Sequence, residues 1–540
     1  MSDARLDALL RSPGYTPSQR DLPALFERLA SADDDGAKVV ERALSRAGSV
    51  AADRACALFD GAEASLRARL CALVGRVAQS NSDPALTEWL VLRLEDGDPR
   101  TRRRAASALG KIGNPGVEAA LVNALSRARD LAERRALVAA IGKVGGDAGR
   151  AALSTLDSRD AELTRIVREA TTKLARARAR REPSIIALHT PPLEPVTVLL
   201  HVRAGLEELL VEELGPARGP SIVGRGRVAV TLREPLGALF SARTFLHIGF
   251  PLPPVAASAE GVEGAVVGAI TSPLAVTLFT RFTRGPLRYR LSWAEGGRKR
   301  ARNFRVAAAV SAARPELFND PTDAPWEVVV TERSGKSGSR IFVELWPRGL
   351  ADPRFAYRRE TLFASSHPTI AAALARTGGV RANDVVWDPF AGSAMELVER
   401  ALLGRYEKLY GSDSEPAALA RAKENLAAAG VERYELLAAD ARTLRLPVPP
   451  TLVVTNPPYG KRVRGEGDVI ALLDATLGNI ASQLTADGRV VWVTPNPSRT
   501  DLAAKRHGLV VSSRRSVDVG GIRAELQILI RAPANRRAPR

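Results

Sequence analysis

The first third of the chain repeats itself. Leu109-Gly110-Lys111-Ile112-Gly113 returns 32 positions later (142 − 110) as Ile141-Gly142-Lys143-Val144-Gly145. A looser copy, Val74-Gly75-Arg76-Val77-Ala78, lies 35 positions earlier (110 − 75), and a degraded one falls at Ala170-Thr171-Thr172-Lys173-Leu174. Each follows an Ala- and Arg-rich stretch such as Arg102-Arg103-Arg104-Ala105-Ala106-Ser107-Ala108, with Asp98-Pro99 as a helix start. A unit of this length cannot bury its apolar face alone, so such units stack as helix pairs. An α-solenoid is therefore predicted over residues 1–180.

The Asp-Pro followed by Arg-Arg-x-Ala-x-x-Ala-Leu-Gly-x-Ile-Gly resembles HEAT repeats of the short bacterial type, over residues 35–178. A solenoid offers a surface rather than chemistry. It suits a protein partner, or an extension of a nucleic-acid platform through Arg100, Arg102, Arg103 and Arg104. The same arginines also read as a solvated helix start.

Chemistry is concentrated near the C-terminus. Four apolar runs each end in a polar residue: Val385-Val386-Trp387-Asp388, Leu409-Tyr410-Gly411-Ser412-Asp413, Tyr434-Glu435-Leu436-Leu437-Ala438-Ala439-Asp440, and Thr451-Leu452-Val453-Val454-Thr455 leading into Asn456. Helical stretches between them imply a parallel α/β sheet, whose ligands sit beyond the carboxyl ends of its strands. Pro389-Phe390-Ala391-Gly392-Ser393-Ala394 is a small-residue loop before a helix, where a ligand can approach the backbone. Asp413 is placed for ribose hydroxyls, and Asp440 for an adenine amino group. Each acid taken singly also reads as a helix cap or a solvated turn. G-x-G-x-x-G is absent, so the loop is not a dinucleotide fingerprint.

In Asn456-Pro457-Pro458-Tyr459 the Asn456 oxygen can accept from an NH2 group, and the prolines stiffen a turn of carbonyl acceptors. Tyr459 offers a stacking face for an unstacked base. The alternative is an ordinary Asn-Pro turn after a strand.

The ordered set Asp388-Pro-Phe-Ala-Gly-Ser, Gly411-Ser-Asp413, Ala439-Asp440 and Asn456-Pro-Pro-Tyr-Gly460 is similar to the class I S-adenosylmethionine-dependent methyltransferases of exocyclic base amines. More narrowly it resembles the RNA guanine-N2 methyltransferases of large-subunit rRNA and tRNA, which pair D-P-[FM]-[CA]-G-S-G-T with N-P-P-Y-G. The resemblance spans residues 360–532. It implies a Rossmann-like domain in which Asp388, Pro389, Gly392 and Ser393 line the methionine end of S-adenosylmethionine. Asp413 would then hold the ribose, Asp440 and Ala441 the adenine, and Asn456, Pro457, Pro458 and Tyr459 the target base. Lys461 and Arg462 would hold flanking phosphates. The family's second glycine is Ala394 here and its threonine Met395, so a β-carbon crowds the cofactor if that position needs a positive φ.

Between solenoid and C-terminal domain, a linker at 181–195 leads into an α+β region at 196–350. Its expected strands are Val196–Val202, Arg227–Leu232, 274–279, Leu287–Trp293, 326–331 and 340–346. Arg203-Ala-Gly-Leu-Glu-Glu-Leu-Leu-Val-Glu-Glu-Leu214 resembles the opening of THUMP-containing RNA-modifying enzymes, which implies a ferredoxin-like/THUMP module that grips RNA. Arg298, Lys299, Arg300 and Arg302 interleave with Asn303 and Phe304, a mixture suited to phosphates and stacking, or to a charged helix start.

The formal charge of +18 over 540 residues favours a polyanionic partner, although an Arg-rich composition accounts for part of it. Two cysteines and five scattered histidines give no metal-ligand spacing. No apolar run has membrane-spanning length, so the expected location is cytoplasmic. The domain expectation is 1–180, 181–195, 196–350, 351–532 and a disordered basic tail at 533–540. The functional expectation is a guanine-N2 methyltransferase acting on tRNA, with rRNA as the other RNA. Its rivals are a DNA adenine-N6 methyltransferase and a non-catalytic RNA-binding scaffold.

Overall fold

The computed structural model describes the chain except for residues 1–5, 7–8, 11, 13, 158, 257–260, 297–298, 336–337, 351, 360–365, 459–465 and 534–540. It divides into two compact units, Met1–Glu182 and Pro183–Arg540.

The first unit is helical. Ala64–Asn81, Pro99–Ile112, Leu131–Val144 and Ala161–Arg181 pack side by side in chain order, with Pro84–Leu92, Glu118–Arg127 and Asp147–Ser154 between them. An aspartate caps each of the last three long helices. Thr101 N–H donates to Asp98 at 2.8 Å, Glu133 N–H to Asp130 at 2.8 Å and Leu163 N–H to Asp160 at 2.6 Å.

Packing explains the repeated glycine. A β-carbon on Gly75 would lie 2.4 Å from Ala108 Cβ, on Gly110 2.8 Å from Ala140 Cα, and on Gly142 2.7 Å from Ala170 Cα. Each glycine is thus the point where the next helix closes almost backbone to backbone. Thr172 holds the matching place in the last helix and is exposed, which frees that copy from the glycine. The arginines link repeats: Arg102 donates to both oxygens of buried Glu133 at 2.7 and 2.8 Å, and Arg135 to Asp160 at 3.2 and 2.7 Å. Arg102 is therefore neither a merely solvated helix start nor a spare cation.

The second unit holds two large sheets. In chain order, β1 is Ile185–Ile186, β2 Val196–Val202, β3 Ser221–Gly224, β4 Arg227–Leu232, β5 Phe245–Pro251, β6 Val255–Ala256, β7 Thr283–Arg284, β8 Leu287–Trp293, β9 Leu317–Asn319, β10 Trp326–Gly335 and β11 Gly338–Pro347. Among the described residues β1 pairs only with β7; the other nine form one sheet, β3-β4-β2-β5-β11-β10-β8-β9, with β6 beside β11. Val198, Leu200, Val228, Val230, Phe250, Val328, Val343 and Leu345 are buried on one face, in a core shared with helices Glu207–Leu214, Gly261–Ile270, Pro273–Arg281 and Arg300–Ala313.

Residues 274–279, expected as a strand, lie in the helix Pro273–Arg281. The deciding signal is local. Ser272 is an N-cap whose hydroxyl accepts from Ala275 N–H at 3.3 Å, Pro273 takes the first turn, and Ala275, Leu278 and Phe279 fall on one buried helical face.

The second sheet comprises β12 (Val385–Asp388), β13 (Lys408–Asp413), β14 (Tyr434–Ala438), β15 (Leu452–Thr455), β16 (Arg489–Thr494), β17 (Leu509–Asp518) and β18 (Arg523–Arg531). Its order is β14-β13-β12-β15-β16-β18-β17, parallel except for antiparallel β18. Both faces are covered, which is why its strands read as unbroken apolar runs. Val386, Leu409, Leu452 and Val454 share a core with helices Pro368–Gly378, Met395–Leu402 and Pro416–Ala428. Val385, Trp387, Tyr410 and Val453 pack on the other face with Leu473, Leu477 and Ala504. This Rossmann-like order puts the ends of β12 and β15 side by side, at the switch point where such sheets bind ligands.

The two sheets are joined firmly. Asp518 N–H donates to the Ala204 carbonyl at 3.0 Å, and a β-carbon on Gly205 (φ 97°) would fall 1.8 Å from the Ser516 carbonyl oxygen. Arg243 donates to both oxygens of buried Glu399 at 2.6 and 2.9 Å, and the Tyr357 hydroxyl donates to the same carboxylate at 2.5 Å. Among the described residues no single helix is long and apolar enough to cross a membrane.

Candidate active site

The site is built where β12, β13 and β15 end. Asp388 is fully buried, and its Oδ1 accepts from the Thr455 hydroxyl at 2.7 Å and from Phe390 N–H at 3.1 Å. Its Oδ2 is buried with no hydrogen-bond partner among the described residues. Burial pushes this carboxyl well above the usual range; the nearby Glu396 and Asp413 charges add to that, while Thr455 and Phe390 oppose it.

Glu396, one residue into the helix Met395–Leu402, is a second buried acid, and its Oε1 has no hydrogen-bond partner among the described residues. Burial first, then the neighbouring Glu399 charge, raises it to about 7 against the hydrogen bond from Ser366. Two buried carboxyl oxygens without donors are costly unless a proton or a cation completes them.

The loop between β12 and this helix is shaped by backbone. Gly392 has φ 49°, and its N–H donates to Asp413 Oδ2 at 2.9 Å. Asp413 Oδ1 accepts from Glu415 N–H at 2.9 Å, so the acid that ends β13 is fixed at the loop's edge. The Ser393 carbonyl accepts from Asn425 Nδ2 at 3.1 Å. Ala394 is left-handed at φ 62°, ψ 29° and fully buried. The position does need a positive φ, and alanine adopts it. For a residue with a β-carbon this costs about 1–2 kcal/mol.

Asn456 follows β15, one strand from Asp388. Its Nδ2 donates to Ser366 Oγ at 2.7 Å, and Ser366 also hydrogen-bonds Glu396. With the Ser366 hydroxyl donating to Glu396, Ser366 accepts from the Asn456 amide nitrogen. Pro457 is buried and Pro458 half-buried. Asp440 accepts from Arg442 N–H at 2.9 Å and forms an ion pair with its guanidinium at 2.5 Å, which lowers the acid's pKa. Ala441 is buried, and its carbonyl accepts from Asn479 Nδ2 at 2.8 Å.

The structure thus brings Asp388, Pro389, Gly392, Ser393, Asp413 and Asn456 to one end of the sheet. It adds Thr455, named above only as the end of an apolar run, together with Ser366 and Glu396. Only Glu396 gave a signal, as an acid inside an otherwise apolar first helical turn. Tyr459, Lys461, Arg462 and Arg298 lie outside the described residues.

Of the other expected RNA contacts, Lys299 sits 3.2 Å from Glu295. Arg302 lies 3.4 Å from Glu263 and 4.1 Å over the Trp293 ring. Arg300 is exposed. Lys299 and Arg302 therefore already have anionic partners and help to brace the start of a helix.

Residues 356–525 match a family described as an RMKL-like methyltransferase domain, and residues 51–142 and 87–175 match HEAT repeats. A tRNA (guanine(10)-N2)-dimethyltransferase of Methanothermobacter thermautotrophicus is 31% identical over 185 residues, 34% of this chain and 50% of that protein. The ribosomal RNA large subunit methyltransferase K/L of Shewanella woodyi is 35% identical over 95 residues, 17% of this chain and 13% of that one. The chain therefore spans half the length of the first relative and less of the second. Among solved structures, TrmN from Thermus thermophilus aligns with a TM-score of 0.50 at 24% identity, over 62% of this chain and 99% of that one, a likeness of fold. Residues 356–525 are an RMKL-like methyltransferase domain, and the first unit carries HEAT repeats.

The cofactor of such a domain is S-adenosylmethionine, and the residues present fit it. The unpartnered oxygens of Asp388 and Glu396 suit the α-ammonium of its methionine, and Asp413 suits its ribose.

Proposed function

We propose that this protein methylates the exocyclic N2 amine of guanosine in RNA, with tRNA favoured over rRNA. The observation that carries the proposal is Asn456, held by Ser366 at the end of β15 beside the buried Asp388 of β12. The names of the curated relatives, which act on guanine N2 of tRNA or on ribosomal RNA, support it.

S-adenosylmethionine supplies an electrophilic methyl group on a sulfonium. Asp388, with Glu396 beside it, would hold the ammonium end, and Asp413 the ribose. Asn456 Oδ1 and the carbonyls of the proline turn would accept from the two N–H groups of the target amine and orient its lone pair. The amine becomes acidic only as its bond to carbon forms, so positioning carries most of the work and no strong base is needed. Orientation alone can supply about 7–11 kcal/mol of a barrier. The nine-stranded sheet would supply the RNA grip, consistent with the THUMP resemblance of its first strand and helix.

The test is methyl transfer from labelled S-adenosylmethionine to separate unmodified tRNA, rRNA and DNA pools, followed by nucleoside analysis, with Asn456→Ala as control. The expected result is N2-methylguanosine from the tRNA pool, lost in the variant. Label in rRNA alone would reassign the RNA, and N6-methyladenine would reassign the base. No label together with no cofactor binding would reduce the domain to a scaffold.

A further inference from the structure

Away from the pocket, the nine-stranded sheet has a face not covered by the four core helices, and a line of rings crosses it. Arg227 on β4, His201 on β2 and His247 on β5 stand in register, and Trp346 on β11, Glu327 on β10 and Arg290 on β8 continue the line. His201 and His247 stack at 4.4 Å and 20°, and His247 lies 4.0 Å from Trp346.

Two cavities meet at Leu246 and His247. One, of about 260 Å³, is lined by Trp346, Phe245, Glu327 and Arg348. The other, of about 510 Å³, is lined by His201, Arg225, Arg227 and Asp518. Trp346 Nε1 and His247 Nε2 are buried, and neither has a hydrogen-bond partner among the described residues. Buried ring nitrogens in a finished core are satisfied, so two orphans beside one cavity mark a place for a ligand.

The charges point the same way. Glu327 is held by Arg290 at 2.8 Å, Glu344 by His201, and Asp352 by Arg354 at 2.7 Å. Asp518 accepts from Gly521 N–H at 2.9 Å. Arg225 is exposed and Arg227 half-exposed, and neither forms an ion pair among the described residues. Asp518 is the one carboxylate here without a cationic partner among the described residues, and Arg225 and Arg227 outnumber it, so the spare charge of the groove is positive. Burial, with His201 adding, pushes His247 down to about 4, so its ring is neutral and stacks without desolvating a charge.

We propose that this groove binds an unpaired nucleotide of the RNA substrate, its base against Trp346 and His247 and its phosphate against Arg225 and Arg227. The Trp346 face would supply sequence-tolerant stacking, and Glu327 would accept from the base edge. The groove, rather than the Arg298–Arg302 run, in which Lys299 and Arg302 already have anionic partners, is then the point of grip. This inference rests on the RNA-substrate reading above.

The test is fluorescence anisotropy with the full-length protein and a labelled RNA hairpin, with and without a single-stranded overhang. The overhang is expected to tighten binding about tenfold, as one stacked base with its phosphate contact would. Trp346→Leu and Arg225→Ala should each remove most of that gain, while Trp346→Phe keeps part of it. S-adenosylmethionine binding by calorimetry should be unchanged in all three. Arg225 is exposed, so its replacement reports on the groove even if the Trp346 variants misfold. Equal affinity for both hairpins, or an overhang gain that survives Trp346→Leu and Arg225→Ala, would overturn the proposal. If guanosine methylation is found but no overhang gain, the groove falls and the function stands. If a Trp346-dependent gain is found but no methyl transfer, the reverse holds.

Discussion

The repeat helices and the methyltransferase pocket treat local rules in opposite ways. In the helices every unusual residue is demanded by a neighbour: Gly75, Gly110 and Gly142 stand where an alanine of the next helix would meet a β-carbon. In the pocket the unusual residues go against local preference. Ala394 occupies a left-handed conformation, and Asp388 and Glu396 are buried with unpartnered oxygens. The first pattern is what stacking requires. The second is strain that stability alone would remove, and strain of that kind collects where a ligand is to be held.

The comparison can be broken by substitution, because the two regions should respond with opposite sign. The largest effect falls on catalysis. Asn456→Ala should lower methyl transfer by about a hundredfold or more, with the melting temperature and cofactor affinity retained. An unchanged rate would remove Asn456 from the chemistry.

Glu396→Gln comes next, and it should stabilise the cofactor-free protein. Glu396 titrates at about 7 in the fold against 4.5 for an ordinary glutamate, so the folded protein keeps a proton that the unfolded chain has lost. Its contribution to stability therefore falls as pH rises through that window, by roughly 3 kcal/mol for a shift of this size. The variant should lose that pH dependence and become the more stable protein at pH 8, while binding S-adenosylmethionine more weakly. Denaturant melts at pH 5 and pH 8 with calorimetry would show it, and parallel pH profiles would reject it.

Gly110→Leu acts in the other direction. Overpacking against Ala140 should destabilise the first unit by about 1–3 kcal/mol and leave cofactor binding by the second unit intact. The smallest effect is Ala394→Gly, which relieves the left-handed backbone and should gain at most about 1 kcal/mol, since glycine also loosens the unfolded chain. Cofactor affinity should hold or improve. A loss of affinity would mean that the Ala394 methyl group is a contact rather than a strain.

How much could be read in advance follows from how local each feature is. The repeats were legible because one helix–helix contact recurs at a fixed interval. β12, β13 and β15 were legible because strands buried on both faces leave apolar runs, and each run ends in or leads to a polar residue: Asp388, Asp413 and Asn456. Residues 274–279 misled because a short apolar run fits a strand or a buried helix, and the Ser272-Pro273 start was the better guide. Ser366 was invisible since its partner Asn456 is 90 residues away and only the fold joins them. The ring line was equally hidden, because His201, His247 and Trp346 come from three strands whose register no motif records.

Arg243, Glu399 and Tyr357 tie the two sheets through a buried carboxylate, and Gly205 lets the edge of one sheet seat on the other. The proposed groove and the pocket at Asp388, fastened in this way, cannot slide past each other. If RNA is the substrate, the choice of nucleotide becomes a matter of span: the base that reacts is the one whose path from the gripped segment matches the fixed distance between groove and pocket. Sequence around the target would then matter less than the length and stiffness of the RNA in between.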